Sequence, residues 1–92
     1  MAITVVNSTS GQGLEFSICG YVDGSANPPM WSGTLQPMNT PGSQVEMQVS
    51  GYETYAVGFY PVGWLPNDGF PVVWSPQVTD KTTVALAINV FA

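Results

Sequence analysis

Gln44-Val45-Glu46-Met47-Gln48-Val49-Ser50 decides how the rest of the chain is read. Apolar Val45, Met47 and Val49 alternate with polar Gln44, Glu46, Gln48 and Ser50, and a period of two sends alternate side chains to opposite faces of a strand. One apolar and one polar face is the half-buried antiparallel pattern, with core on one side and water on the other. Glu46 is therefore expected to face solvent.

C-terminal to this strand, Gly51 marks a reversal and residues 52–60 form a longer one. Glu53, Tyr55, Val57 and Phe59 take one parity, and Tyr52, Thr54, Ala56, Gly58 and Tyr60 take the other, so both faces are expected to be partly buried. Residues 61–69, with Gly63, Pro66 and Asn67-Asp68-Gly69, read as a long loop. Residues 70–75 read as a short strand interrupted at Pro71, which marks an edge or a bulge. Residues 76–81 turn the chain, and residues 82–91 close it with Val84, Leu86, Ile88 and Val90 facing the core and Ala85 and Ala87 opposite.

On the N-terminal side, residues 36–42 carry Pro37, Asn39, Pro41 and Gly42 and read as a surface loop. A short strand over residues 30–35 precedes it. Asp23-Gly24-Ser25-Ala26-Asn27-Pro28-Pro29 is a loop, because consecutive prolines cannot donate to a ladder and Asp-Gly favours a turn. Before it, Leu14, Phe16, Ile18 and Val22 are expected in the core, with Gly20 interrupting, while Glu15, Ser17, Cys19 and Tyr21 take the other face. Residues 3–7 open the first strand, and residues 8–13 read as a hairpin loop.

About seven strands and no helical period predict an all-β fold: a single antiparallel β-sandwich, Greek-key or jelly-roll-like, or a small barrel. The 92 residues form one domain, 1–92. Strands lying hard against both ends imply that truncating either end is costly.

Composition narrows the chemistry. Net charge −5, with Lys81 as the one cation, gives no basic footprint for nucleic acid or anionic lipid. With no His and one Cys, the chain cannot assemble a Ser/His/Asp or Cys/His site, an imidazole-thiolate zinc site or an internal disulfide. No catalytic residue, metal ligand or cofactor is predicted. The start of the chain shows no signal peptide and no apolar run is long enough for a transmembrane helix, so a soluble chain is expected, with its compartment left open. Asn7-Ser8-Thr9 matches a glycosylation acceptor, which matters only for a secreted product of a glycosylating cell. Cys19, inside Phe16-Ser17-Ile18-Cys19, is expected to be a small packed side chain.

The opening residues 1–9 leading into Leu14-Glu15-Phe16-Ser17-Ile18 resemble the first hairpin of small bacterial β-sandwich proteins, among them insecticidal proteins and, more distantly, aegerolysin-like proteins. The resemblance covers under a fifth of the chain. It implies a secreted or releasable protein that binds target-cell membranes or glycans, and it carries no functional residue to this sequence.

Two residue classes remain as candidates. The carboxylates Glu15, Glu46, Glu53, Asp23, Asp68 and Asp80 would hydrolyse a glycoside only if the fold brought two of them about 5 Å or about 6.5–9.5 Å apart. Solubility of a charge-poor surface and turn formation account for them otherwise. The aromatic set Trp31, Trp64, Trp74, Tyr21, Tyr52, Tyr55 and Tyr60 offers amphipathic rings that stack on a sugar or fill a partner's pocket. From it Trp64, Trp31, Tyr21 and Tyr60 are the candidate ligand-binding residues, with Trp64 at the apolar tip Val62-Gly63-Trp64-Leu65-Pro66. Ala85 and Ala87, like Ala56 and Gly58, form flat small-residue surfaces, and edge strands without Lys are poorly guarded. The expected function is a non-catalytic binding or self-assembly protein. Its partners are a second copy of itself, with Ala85 and Ala87 in the interface, and a glycan or cell-surface receptor. A membrane-active toxin and a carboxylate-dependent hydrolase are the alternatives.

Overall fold

The computed structural model describes residues 2–9, 11–63, 72–79 and 82–86. It is all-β among these residues, with eight strands: β1 (Ala2–Asn7), β2 (Leu14–Val22), β3 (Ser25–Ala26), β4 (Trp31–Leu35), β5 (Gln44–Gln48), β6 (Thr54–Pro61), β7 (Val73–Trp74) and β8 (Thr83–Leu86). They build a three-stranded sheet, β5-β1-β8, and a five-stranded sheet, β3-β2-β6-β7, with β4 also paired to β2. The core lies between the sheets: Ile3, Val5, Val84 and Leu86 from the smaller sheet meet Leu14, Phe16, Ile18, Leu35, Tyr55, Val57 and Phe59 from the larger one.

The β-branched run of β1 and the alternation of β5 pair antiparallel, Thr4 opposite Glu46 and Val5 opposite Val45. Glu46 is exposed as expected, and Val49 is buried. On its other side β1 pairs with β8 in parallel, Val5 beside Val84, which departs from the all-antiparallel expectation. A parallel neighbour requires a long connection, and here almost the whole chain supplies it.

The expected hairpin over residues 8–13 is not one, because β1 and β2 belong to different sheets. The chain arches between layers, and Asn7 holds the arch. Its buried amide donates to the carbonyls of Gln12 (2.8 Å) and Gln36 (3.0 Å), and its Oδ1 accepts from the Thr9 N–H (2.9 Å) and the Thr9 hydroxyl. An amide so enclosed is closed to glycosylation in the folded chain. The reversal at Gly51, φ +96°, likewise joins strands of different sheets.

Asp23 and Gly24, φ 52° and 78°, form the two-residue turn whose double positive φ matches strand twist, so Val22 meets Ser25. This adds β3, an eighth strand inside the expected loop. Val22, expected in the core, is 39% exposed, because β2 runs past the sandwich into this hairpin. Of the expected closing strand, Val84 and Leu86 are buried as read, and Ile88, Val90 and Ala87 lie outside the described residues. Phe70 and Pro71 of the expected strand before it lie outside them too.

Candidate functional site

The outward face of the five-stranded sheet carries the features of a site. Residues directly paired across an antiparallel ladder share a face. Phe16 faces Phe59 and Gly33, so these point inward with the core, and Ser17 faces Gly58 and Ser32, so these point outward. The outward row therefore holds Glu15, Ser17, Cys19 and Tyr21 of β2, and Thr54, Ala56, Gly58 and Tyr60 of β6. Ser17, Cys19, Ala56, Gly58 and Tyr60 are nonetheless buried. The small surface that Ala56 and Gly58 were expected to offer to a partner is thus covered by this chain: a Cβ on Gly58 would stand 2.9 Å from the Trp74 ring and 2.9 Å from Val72.

The opposite wall comes from the prolines. Tyr21 pairs with Ala26 and Ile18 with Trp31, so Cys19 and Gly20 on β2 face four residues, 27–30, on the neighbouring strand. Pro28 and Pro29, lacking N–H donors, are the surplus and bulge from the ladder. The ladder closes around them through Asn27 N–H to Gly20 C=O (2.9 Å) and Met30 N–H to Ile18 C=O (3.1 Å).

Two clefts lie against this bulge and share Pro29. One, about 360 Å³, is lined by Ser17, Pro28, Pro29, Met30, Trp31, Ser32 and Tyr60. Tyr60 Oη and Ser17 Oγ lie 3.1 Å apart in a mutual hydrogen bond within this lining. The other, also about 360 Å³, is lined by Cys19, Tyr21, Ala26, Asn27, Pro29, Val72 and Trp74. Among the described residues neither lining contains a charged one. Burial pushes the Cys19 thiol up from the ordinary range, against the lowering effect of its hydrogen bonds to Tyr21 and the Ala56 carbonyl. Burial, and then Cys19 beside it, raises the Tyr21 phenol as well. Both groups stay protonated at neutral pH.

Of the four predicted aromatic residues, Tyr60 and Tyr21 share the outward face, whereas Trp31, paired with Ile18, takes the core side and still borders the first cleft. Tyr60 and Trp31 line the first cleft and Tyr21 the second, while Trp64 lies outside the described residues. Trp31 is half-buried and belongs to an edge-to-face cluster with Tyr52 (6.1 Å) and Tyr55 (5.8 Å), packed on the core. Gly20 makes this cluster possible, since a Cβ there would stand 2.1 Å from the Tyr52 ring. Ala85 is exposed as expected. Ser17, Asn27 and Pro29 also line the clefts and were not among the sequence candidates, and Trp74, in the aromatic set but not among its four selected residues, lines the second cleft. Their signal was the shared parity of small residues on two strands beside a Pro-Pro pair.

Among the described residues no carboxylate lines either cleft. Glu15 and Glu46 lie on different sheets, and Glu15 accepts from Gly63 N–H (3.0 Å) while Glu46 accepts from Gln48 Nε2 (3.1 Å). Glu53 and Asp23 meet at an exposed turn, where Glu53 accepts from the Asp23 N–H (2.8 Å). Asp68 and Asp80 lie outside the described residues. Among the described residues no three His, Cys, Asp or Glu gather where they could hold a metal, and no helix is long and apolar enough to cross a membrane. No protein-family model matches the chain, and comparisons with curated proteins and with solved structures find no match.

Proposed function

We propose that this protein is a non-catalytic recognition domain that binds a neutral saccharide on the outward face of its five-stranded sheet. The observation that carries the reading is the pair of uncharged clefts meeting at Pro29, where aromatic surface and neutral hydrogen-bonding groups stand together. A sugar ring presents an apolar face and a rim of hydroxyls. Trp74, 44% exposed, and Tyr21 suit the face, and Asn27, Ser17, Ser32 and the Tyr60 hydroxyl suit the rim. Net charge −5 disfavours sialylated, sulfated or phosphorylated ligands. Among the described residues no carboxylate lines either cleft, which supports recognition over hydrolysis, because glycoside cleavage needs a pair of them beside the sugar.

A glycan array should show binding confined to neutral saccharides, and Trp74→Ala should weaken the best of them about tenfold in a fluorescence titration. Binding that survives Trp74→Ala unchanged, or an array without a neutral hit, ends the proposal. The membrane-active alternative draws on Met30 and Val62, 63% and 53% exposed. Dye release from uncharged vesicles without any glycan would favour it instead.

A further inference from the structure

We infer that β5 is a docking edge for a second copy of the chain, paired antiparallel about a two-fold axis at Met47. Asn7 N–H donates to the Ser43 carbonyl (2.8 Å), which makes that pair, and with it Val5–Val45 and Ile3–Met47, the hydrogen-bonded pairs of the β1–β5 ladder. The other β1 donors turn to the β8 side, Thr4 N–H to Thr82 C=O (3.0 Å) and Ser8 N–H to Leu86 C=O (2.8 Å). The backbone groups of Gln44, Glu46 and Gln48 therefore point away from the sheet, and among the described residues none of their N–H groups has a partner. This edge carries no Lys, Pro or bulge, so nothing in it except Glu46 opposes strand addition.

The sequence of the edge selects both occupant and register. Only outward-pointing residues can exchange hydrogen bonds across the new ladder. An axis at Glu46 would set the two carboxylates opposite each other, which is unfavourable. An axis at Val45 would oppose Gln48 to Gly42, whose φ of +88° lies outside strand geometry. With the axis at Met47, each Glu46 faces Gln48 of the second copy twice over, carboxylate to amide, and Met47 meets Met47. Val45 then stands opposite Val49, extending the apolar row on the core side. An axis at Val45 would also set Glu46 on an amide, that of Gln44, so the Met47 axis is the one that avoids both a carboxylate pair and Gly42. The axis runs perpendicular to the sheet, so the two three-stranded sheets fuse into one of six strands with both five-stranded sheets on the same side. This assigns self-association to the β5 edge in place of the face carrying Ala85.

Light scattering and sedimentation over about 10 µM to 1 mM should show the 9.8 kDa chain passing to twice that mass. Gln48→Glu, which sets like charges opposite in two places, should weaken dimerisation about tenfold at low salt, with recovery at high salt. Gln48→Lys should preserve or tighten it, although an edge lysine ordinarily blocks pairing. Circular dichroism and thermal melting show whether each variant remains folded. Side chains at this position face solvent, so both should. A native chain that stays monomeric throughout the series overturns the inference, as does a folded Gln48→Lys that dissociates as readily as Gln48→Glu.

Discussion

The two sheets are built from the same kinds of residue but meet their surroundings differently. In the three-stranded sheet, burial alternates along every strand, and Val45 and Met47 face inward while Gln44, Glu46 and Gln48 stay wet. In the five-stranded sheet, β2 and β6 are buried along both faces for most of their length. Apart from Glu15, their outward residues are small or hydroxylic, and Trp74, Val72 and the Pro28-Pro29 bulge stand over or beside them. The teaching is that a covered outer face needs small residues beneath and a bulge or ring above. Gaps between those covers are clefts, and the proposed recognition surface lies on the covered sheet. The bare sheet keeps its free edge.

The largest effect is expected where the two sheets are joined. Asn7→Ala removes the amide and carbonyl that hold the arch, leaving the carbonyls of Gln12 and Gln36 and the N–H of Thr9 short of partners in a largely buried site. Urea denaturation should show a loss of about 3 kcal/mol. A loss below about 1 kcal/mol would mean that water replaces these bonds and that the arch is not enclosed.

A pair of matched substitutions sharpens the contrast between outward faces. Valine has the higher strand preference, so Gly58→Val and Thr83→Val would both be neutral or favourable on bare faces. Trp74 and Val72 lie over Gly58, whereas Thr83 is exposed. Gly58→Val should therefore cost about 2 kcal/mol through overpacking, and Thr83→Val should stay within about 0.5 kcal/mol. Equal results at the two sites would erase the distinction.

The smallest effect is a pH dependence at Cys19. Its thiol is raised in the folded chain, chiefly by burial. A raised acid leaves stability intact below the unfolded thiol's pKa of about 8.5 and takes it away as the pH climbs from there towards the folded value. Native protein at pH 8 should alkylate far more slowly than urea-unfolded protein. Cys19→Ala should lose less stability than wild type as the pH rises above the unfolded thiol's range. Equal alkylation rates in the two states would place Cys19 in solvent.

Much of the architecture was legible from local pattern alone. Alternation in residues 44–50 gave β5 and its wet face, Asp23-Gly24 gave a tight turn, and the mixed parity of residues 52–60 announced a strand covered on both sides. These follow from the sequence because side-chain period, positive φ and the missing proline donor are properties of neighbouring residues. Which strands pair was not legible. The Ser8–Gly13 stretch suits a hairpin as well as an arch, and only the choice of β5 and β8 as partners for β1 separates them. The parallel contact between β1 and β8, the exposure of Val22 at the end of β2, and the meeting of Trp74 with Gly58 all depend on residues far apart in the chain. So do the clefts at Pro29, for Pro-Pro signals a break in a ladder but cannot say what lies beneath it. The sequence by itself determined where most of the strands run, the tight turn at Asp23-Gly24 and the scarcity of charge. Tertiary structure decided which faces are covered, because burial depends on where distant strands dock, and a two-residue period is the same on a bare face as on a covered one.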